Sequence, residues 1–377
     1  MAFEFIKDSV QQRRDASLLR TRICVEEANA RHIVVNSKQY INFASNDYLG
    51  LGDCALAASG ESGSRSSSLV TGYLAIHKQL EKKLCDLLGY DAALLFSSGF
   101  STNSSVLKSL FSEQSVAKDS VIFQDKLNHA SLIDGALQSG AKHIRFNHND
   151  MNHLHARLEK SHVTNKLIVS EGVFSMDGDT APIDQLSALK TQHNAWLMID
   201  DAHAFGVVGE QGLGSAAGAN KPDILVITFG KAMASQGAAI LAHQDIVDYL
   251  LQTSREYTYS TALSPLMAKS ALTQLDRLIN ADAQRHALQS NITLFKTLCA
   301  KKSIPVLASN TPIQPIVLGS SENALQAQMA LKSRNIWLTA IRPPTVPHNT
   351  ARLRVTITAA HQAEDVAHLV NSLSDVL

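Results

Sequence analysis

The sequence predicts an α/β protein, with a mostly parallel sheet of about seven strands covered by helices in a large domain and a smaller α+β domain beside it. Three observations predict it. Short apolar, β-branched runs alternate with stretches of helical period from Ala93 to Leu241, as in strand–crossover–strand units. Several of these runs end in small, polar or ionisable residues, as strands do where they open onto a ligand crevice. After Pro265 the pattern changes to a long helical stretch and then to β-rich spacing.

Taken in order, the amino terminus places Phe3, Ile6 and Val10 at helical spacing and predicts an amphipathic helix through Arg20. Ile33-Val34-Val35 and Tyr40-Ile41-Asn42-Phe43 read as a short strand pair. Ala44 to Leu51 is a polar, glycine-punctuated turn, and Gly63 to Ser68 holds four serines that suit either an anion or a plain loop. Ile76, Leu80, Leu84, Leu87 and Leu88 share one helical face. Strand Ala93 to Phe96, the turn Ser97-Ser98-Gly99-Phe100 and a helix starting near Ser101 read as a ready phosphate cradle, because helix-start N–H groups point at the turn, or as an ordinary tight βα turn.

The alternation continues with strand Val121 to Phe123, helix Ala130 to Ser139, strand His143 to Phe146, a helix near Leu154 to Lys160, and strand Leu167 to Ser170. Strands Trp196 to Ile199, Ile224 to Phe229 and Ala238 to Leu241 complete the sheet. A helical stretch from Leu266 to Lys301 leads to strands Ile304 to Leu307, Pro315 to Leu318, Ile336 to Ile341 and Arg352 to Ile357, closed by a helix from His361. The expected division is an N-terminal segment over 1–50 that packs with the small domain, a large domain over 51–264, and a bridging helix with the small domain over 265–377.

With 377 residues the chain is long enough for two domains of ~150 residues. Its formal net charge of +0 gives no argument for nucleic acid or an anionic membrane. The longest apolar runs are strand-sized, and the amino terminus lacks the apolar core of a signal peptide, which predicts a cytoplasmic protein without a membrane span. Cys24, Cys54, Cys85 and Cys299 are scattered and read as reduced packing residues. His148, His153 and His155 have no i, i+4 pair among them, and no metal site is expected.

The chemistry concentrates at two strand ends. The run Ile224 to Phe229 leads into Gly230-Lys231, and Trp196 to Ile199 leads into Asp200-Asp201-Ala202-His203. A lysine at the mouth of a sheet is costly to desolvate unless its amine is a nucleophile or is held as an imine. A strand-end Lys and a strand-end Asp are what pyridoxal 5'-phosphate (PLP) requires: the Lys forms the imine, and the Asp keeps the pyridine nitrogen protonated. His203 would sit beside the ring. His129 opens a helix, as its cap or as a ring stacked on a flat ligand. Arg352 and Arg354 alternate along a strand, and a guanidinium there suits a substrate carboxylate or a solvated face.

The order Ser45-Asn46-Asp47-Tyr48-Leu49-Gly50, Ser98-Gly99-Phe100, Asn128-His129-Ala130-Ser131, Glu171 to Gly178, Asp200 to His203 and Thr228 to Lys231 resembles the α-oxoamine synthases. These are fold-type I PLP enzymes that join an amino acid to an acyl thioester with loss of carbon dioxide. The stretch Ala340 to Pro347 with Thr350 to Thr356 is similar to the members that use L-alanine and a pimeloyl thioester in biotin biosynthesis, on coenzyme A or an acyl-carrier protein (ACP).

The resemblance implies that Lys231 is the Schiff-base lysine and Asp200 the partner of the pyridine nitrogen. It implies that His203 and Ser175 bond the ring hydroxyl, that His129 stacks on the ring, and that Gly99, Phe100 and Thr228 surround the phosphate. Arg354 would hold the amino-acid carboxylate, and Arg20 and Thr345 would contact substrate. It further implies a homodimer with serines of Gly63 to Ser68 reaching the partner's phosphate. Glycine-using members and a non-catalytic subunit of the same fold are the alternatives. The chain departs from the family pattern in a shortened segment between Gly52 and Gly63, in Arg65 where glycine is usual, and in Phe205 where a small or polar residue is usual.

Overall fold

In a computed structural model, residues 3–53, 61–218 and 220–377 are described. The chain divides into two compact units, one of residues 54–175 and 180–282, the other of 1–53, 176–179 and 283–377. The shortened segment below Gly63, and with it Cys54, lies largely outside the described residues.

The first unit is built on a seven-stranded sheet, in the order Ala92–Phe96, Ala238–Ala242, Ile224–Thr228, Trp196–Asp200, Asn165–Glu171, Ser120–Asp125 and Lys142–Phe146. Ala238–Ala242 runs antiparallel to both of its neighbours, and the other ladders are parallel. Its central strands are buried along almost their whole length, which is why they read as continuous apolar runs rather than as alternating ones. Each parallel strand therefore delivers its carboxyl end to the same edge. Phe96 and Thr228 share the Ala238 rung, Asp200 pairs with Glu171, and the chain leaves that edge toward Gly99, Lys231, His203, Ser175 and His129.

Helix Gly99–Leu110 lies close against helix Ala130–Gln138. A methyl group on Gly135 would stand 2.9 Å from Ser104 Cα and 3.1 Å from the Asn103 carbonyl, so only glycine allows that approach without displacement. Leu94, Val106, Leu107, Leu132, Val169, Met198 and Val226 fill the core beneath.

The second unit holds a four-stranded sheet, Glu27–Ala28, His32–Val35, Lys38–Asn42 and Ile336–Trp337, and a three-stranded antiparallel sheet, Ile313–Gly319, Ala351–Thr356 and Thr339–Ile341. Helices Ser321–Ser333 and Ala363–Val376 belong to it as well. The first of these has no counterpart in the sequence reading.

Several expectations are corrected here. The expected strand Ile304 to Leu307 does not form, because Pro305 has no N–H for a ladder; a lone bond from Leu307 N to the Pro315 carbonyl remains. Ile336 to Ile341 is two strands in two sheets, divided at Leu338, whose carbonyl accepts from Gln328 Nε2 at 2.8 Å instead of joining a ladder. The stretch from Leu266 is two helices, Pro265–Ile279 and Asp282–Lys301. Between them Asn280 Nδ2 takes the Asp276 carbonyl and Ala281 is buried.

The first helix ends at Asp15 rather than Arg20. Ser17 takes a φ of +56°, and the amides of Ser17 and Leu18 fold back on the Arg14 and Arg13 carbonyls. None of that helix's residues is buried. Arg65, where the family pattern has glycine, sits at φ +63°, in the left-handed region that glycine enters without strain. Phe205 is fully buried. Cys85 and Cys299 are buried free thiols, whereas Cys24 is exposed and is not a packing residue. Among the described residues, no helix is long and apolar enough to cross a membrane.

Candidate active site

Eight of the expected site residues, Gly99, Phe100, His129, Ser175, Asp200, His203, Thr228 and Lys231, follow or end the strands of the first unit's carboxyl edge. Ser98 caps helix Gly99–Leu110, its side chain accepting from the Ser101 amide at 3.2 Å. That leaves the amides of Gly99 and Phe100, at the helix start, outside the cap. A methyl group on Gly99 would stand 2.5 Å from Thr228 Cγ2, so the helix start packs against the Thr228 side chain with no room for a Cβ. The buried Thr228 Oγ1 has no hydrogen-bond partner.

Asp200 is 5 % exposed. Its Oδ1 accepts from the Ala202 amide at 3.0 Å and its Oδ2 from Asn103 Nδ2 at 2.6 Å. His129 is the cap of helix Ala130–Gln138, its Nδ1 accepting from the Ser131 amide, and the Phe100 ring lies edge-on to the imidazole at 6.2 Å. Burial, ahead of the opposing pull of Asp200, lowers the His129 pKa from its usual 6.5, and the Lys231 charge adds to the lowering. Both lowering effects favour the neutral ring.

Glu171 is buried on the neighbouring strand, directly paired with Asp200, and accepts from the backbone amides of His129 and Ser175. Burial and then the Asp200 charge hold its carboxyl well above the usual 4.5, against the opposing effects of Lys231 and the two amides.

The other expected residues lie in the second unit. Arg20 Nη2 donates to Thr345 Oγ1 at 2.9 Å. Arg354, 8 % exposed, donates to Thr356 Oγ1 at 3.1 Å and Asn46 Oδ1 at 3.3 Å, and Asn46 also accepts from the Tyr48 hydroxyl. Thus the Ser45 to Gly50 turn frames a buried guanidinium. Arg352 is equally buried, against the solvated-face reading, and its Nη1 is bound to Asp177 Oδ1 at 2.8 Å. His148, left without a role, pairs with Asp125 at 2.9 Å.

Sequence reasoning missed Asn103 and assigned no role to Glu171 or Ser131. The available signal was the run Ser101 to Ser105, whose last four polar residues are buried inside a helix.

The Aminotransferase class I and II family matches residues 38–373. Relatives named 8-amino-7-oxononanoate synthase include those of Photobacterium profundum, 43 % identical over 99 % of this chain and 96 % of that one, and Vibrio cholerae, 44 % identical over 99 % and 97 %. The chain belongs to the 8-amino-7-oxononanoate synthase family.

Among solved structures, the serine palmitoyltransferase of Sphingomonas wittichii superposes with a TM-score of 0.91 at 25 % identity, covering 100 % of this chain and 98 % of its own. An 8-amino-7-oxononanoate synthase from Francisella tularensis gives 0.75 at 30 % identity, over 89 % and 97 %. The fold is that of the fold-type I PLP transferases, and membership of the family makes the protein a PLP-dependent acyltransferase.

The first unit fits the cofactor on its own terms. The unpartnered Thr228 hydroxyl and the helix-start amides suit a phosphate, and the absence of a side chain at Gly99 keeps the cradle open. Asp200 supplies a buried carboxylate, and Lys231 an amine on the same edge.

Proposed function

We propose that the protein condenses L-alanine with a pimeloyl thioester, releasing carbon dioxide and the free thiol of ACP or coenzyme A and giving 8-amino-7-oxononanoate. The observation that carries this reading is the strand-end set itself: Lys231, Asp200 and His203, beside a cradle with an unsatisfied Thr228 hydroxyl. The names of the full-length relatives supply the substrates.

When bound, PLP supplies an electron sink for the carbanion at the amino-acid Cα. In this reading Lys231 Nζ would hold the cofactor, and its free amine would take the Cα proton of alanine and later return one. Asp200 keeps the proton on the pyridine nitrogen. His203 and Ser175 bond the ring hydroxyl, and Gly99, Phe100 and Thr228 hold the phosphate. His129 would lie against the ring and orient the reacting amino acid. Arg354 binds the alanine carboxylate through its planar fork, and Arg20 and Thr345 contact the acyl substrate.

The same reading makes the working form a cytoplasmic homodimer in which serines of Gly63 to Ser68 approach the partner's phosphate. Two of them are already engaged, Ser64, whose Oγ donates to the Leu263 carbonyl at 2.6 Å, and Ser68, whose side chain bonds Tyr257.

Lys231→Ala decides the central assignment. The parent should show a cofactor-dependent visible band and turn over alanine with pimeloyl thioester. The variant should lose both the borohydride-trapped cofactor and measurable turnover, and sustained turnover by the variant would refute the role. Equal or better activity with glycine would transfer the chain to the glycine-using branch.

A further inference from the structure

Helix Gly99–Leu110 turns an unusually polar side inward: Thr102, Asn103, Ser104 and Ser105 are all buried. Asn103 is 1 % exposed and points its amide nitrogen at two groups of the site. Nδ2 donates to Asp200 Oδ2 at 2.6 Å and to Ser131 Oγ at 3.0 Å. Ser131 Oγ in turn lies 2.7 Å from His129 Nδ1. A continuous chain, His129–Ser131–Asn103–Asp200, therefore joins the two residues assigned to the faces and nitrogen of the cofactor ring.

The chain has a direction. The amide presents its nitrogen to Asp200 and to Ser131, and both of its protons are then used. The Ser131 oxygen accepts one of them, and its own proton goes to His129 Nδ1. The Ser131 backbone N–H converges on the same nitrogen at 3.3 Å. With two donors aimed at it, Nδ1 must carry a lone pair, and the proton of the neutral imidazole is on Nε2. Asn103 Oδ1 is left buried without a partner. Turning the amide over would set that oxygen against the carboxylate, so the unsatisfied atom is the cost of keeping the direction.

We propose that Asn103 and Ser131 are positioning residues that lock His129 as its Nε2–H tautomer while fixing the Asp200 carboxylate. His129 then offers an N–H donor to substrate oxygen and is not a base, leaving proton abstraction to Lys231. The assignment rests on the PLP reading above for its catalytic consequence, but the tautomer itself is a property of the protein alone.

The test is 15N-histidine NMR on the unloaded and PLP-loaded protein, with the His129 signals identified by their loss in His129→Asn. The parent should show Nδ1 unprotonated and Nε2 protonated. Ser131→Ala removes the hydroxyl donor but keeps the backbone N–H, so it should raise the share of the other tautomer and lower kcat roughly tenfold with little change in the KM for alanine or in PLP affinity; Ser131→Thr should restore both. Asn103→Leu should in addition weaken PLP binding about tenfold, because Asp200 loses a donor.

An Nδ1–H signal in the parent, or an unchanged tautomer and kcat in Ser131→Ala, would overturn the proposal. A parent that takes up no PLP would instead overturn the cofactor reading, while the unloaded spectrum would still decide the tautomer.

Discussion

A single buried carboxyl shows how much of this site is decided away from the reacting groups. Glu171 receives the amides of His129 and Ser175, so one side chain ties down two of the loops that leave the sheet edge. Its pKa is raised, first by burial and then by Asp200, which means that the folded protein holds a proton that the unfolded chain releases above its usual 4.5. The stability this contributes is complete below that pH and is lost as pH rises toward the folded value. Glu171→Gln, which cannot ionise, should therefore gain on the parent in unfolding free energy as pH is raised from 5 to 8, read from denaturant midpoints. A difference that stays flat with pH would show the carboxyl to be ionised in the fold. The positions of Lys231 and Asp200 were legible in sequence because Asp200 ends an apolar strand and Lys231 follows one. Glu171 was quoted only as part of a run, because nothing in a sequence says which amides a buried carboxyl will meet.

At the scale of elements, the contact between helices Gly99–Leu110 and Ala130–Gln138 brings Asn103 to Ser131. Gly135 permits it, since an added Cβ would stand within 3.1 Å of Ser104 Cα, the Asn103 carbonyl and Leu107 Cβ. Gly135→Ala should cost about 1–3 kcal/mol of stability, the usual range for overpacking a close contact, and should weaken PLP binding through Asn103. Calorimetry and a PLP titration measure the two effects, and an unchanged Tm would show that the helices yield freely. Both helices were predicted within a few residues, because apolar periodicity reports which face is buried. Their separation was not, because it depends on what a glycine in one helix lets the other do. The same limit explains Ile336 to Ile341. The run is apolar enough for one strand, and only the Gln328 side chain, which takes the Leu338 carbonyl, shows that it divides between two sheets.

For the molecule as a whole, the larger unit was the more legible, because a parallel sheet writes itself as repeated apolar runs with chemistry at one end of each. The smaller unit has short strands held by side chains, and His361 is its clearest case. The imidazole stacks on Phe43 at 4.2 Å, its Nδ1 accepts from the Thr358 amide at 2.9 Å, and its Nε2 bonds the Asn42 carbonyl at 3.2 Å. Only the neutral ring can accept at Nδ1, and burial, with Asp365 opposing, pushes its pKa from 6.5 down to about 4. The unfolded chain therefore binds a proton that the fold excludes. Stability from this group is full above pH 6.5 and is lost as pH falls toward 4, a loss of about 3 kcal/mol at 1.36 kcal/mol per pH unit. The expected outcome is an unfolding free energy that drops over that interval in the parent, with a measurably shallower drop in His361→Gln. Parallel pH profiles for the two proteins would mean that the ring is protonated within the fold, and that the Thr358 amide is not what holds it.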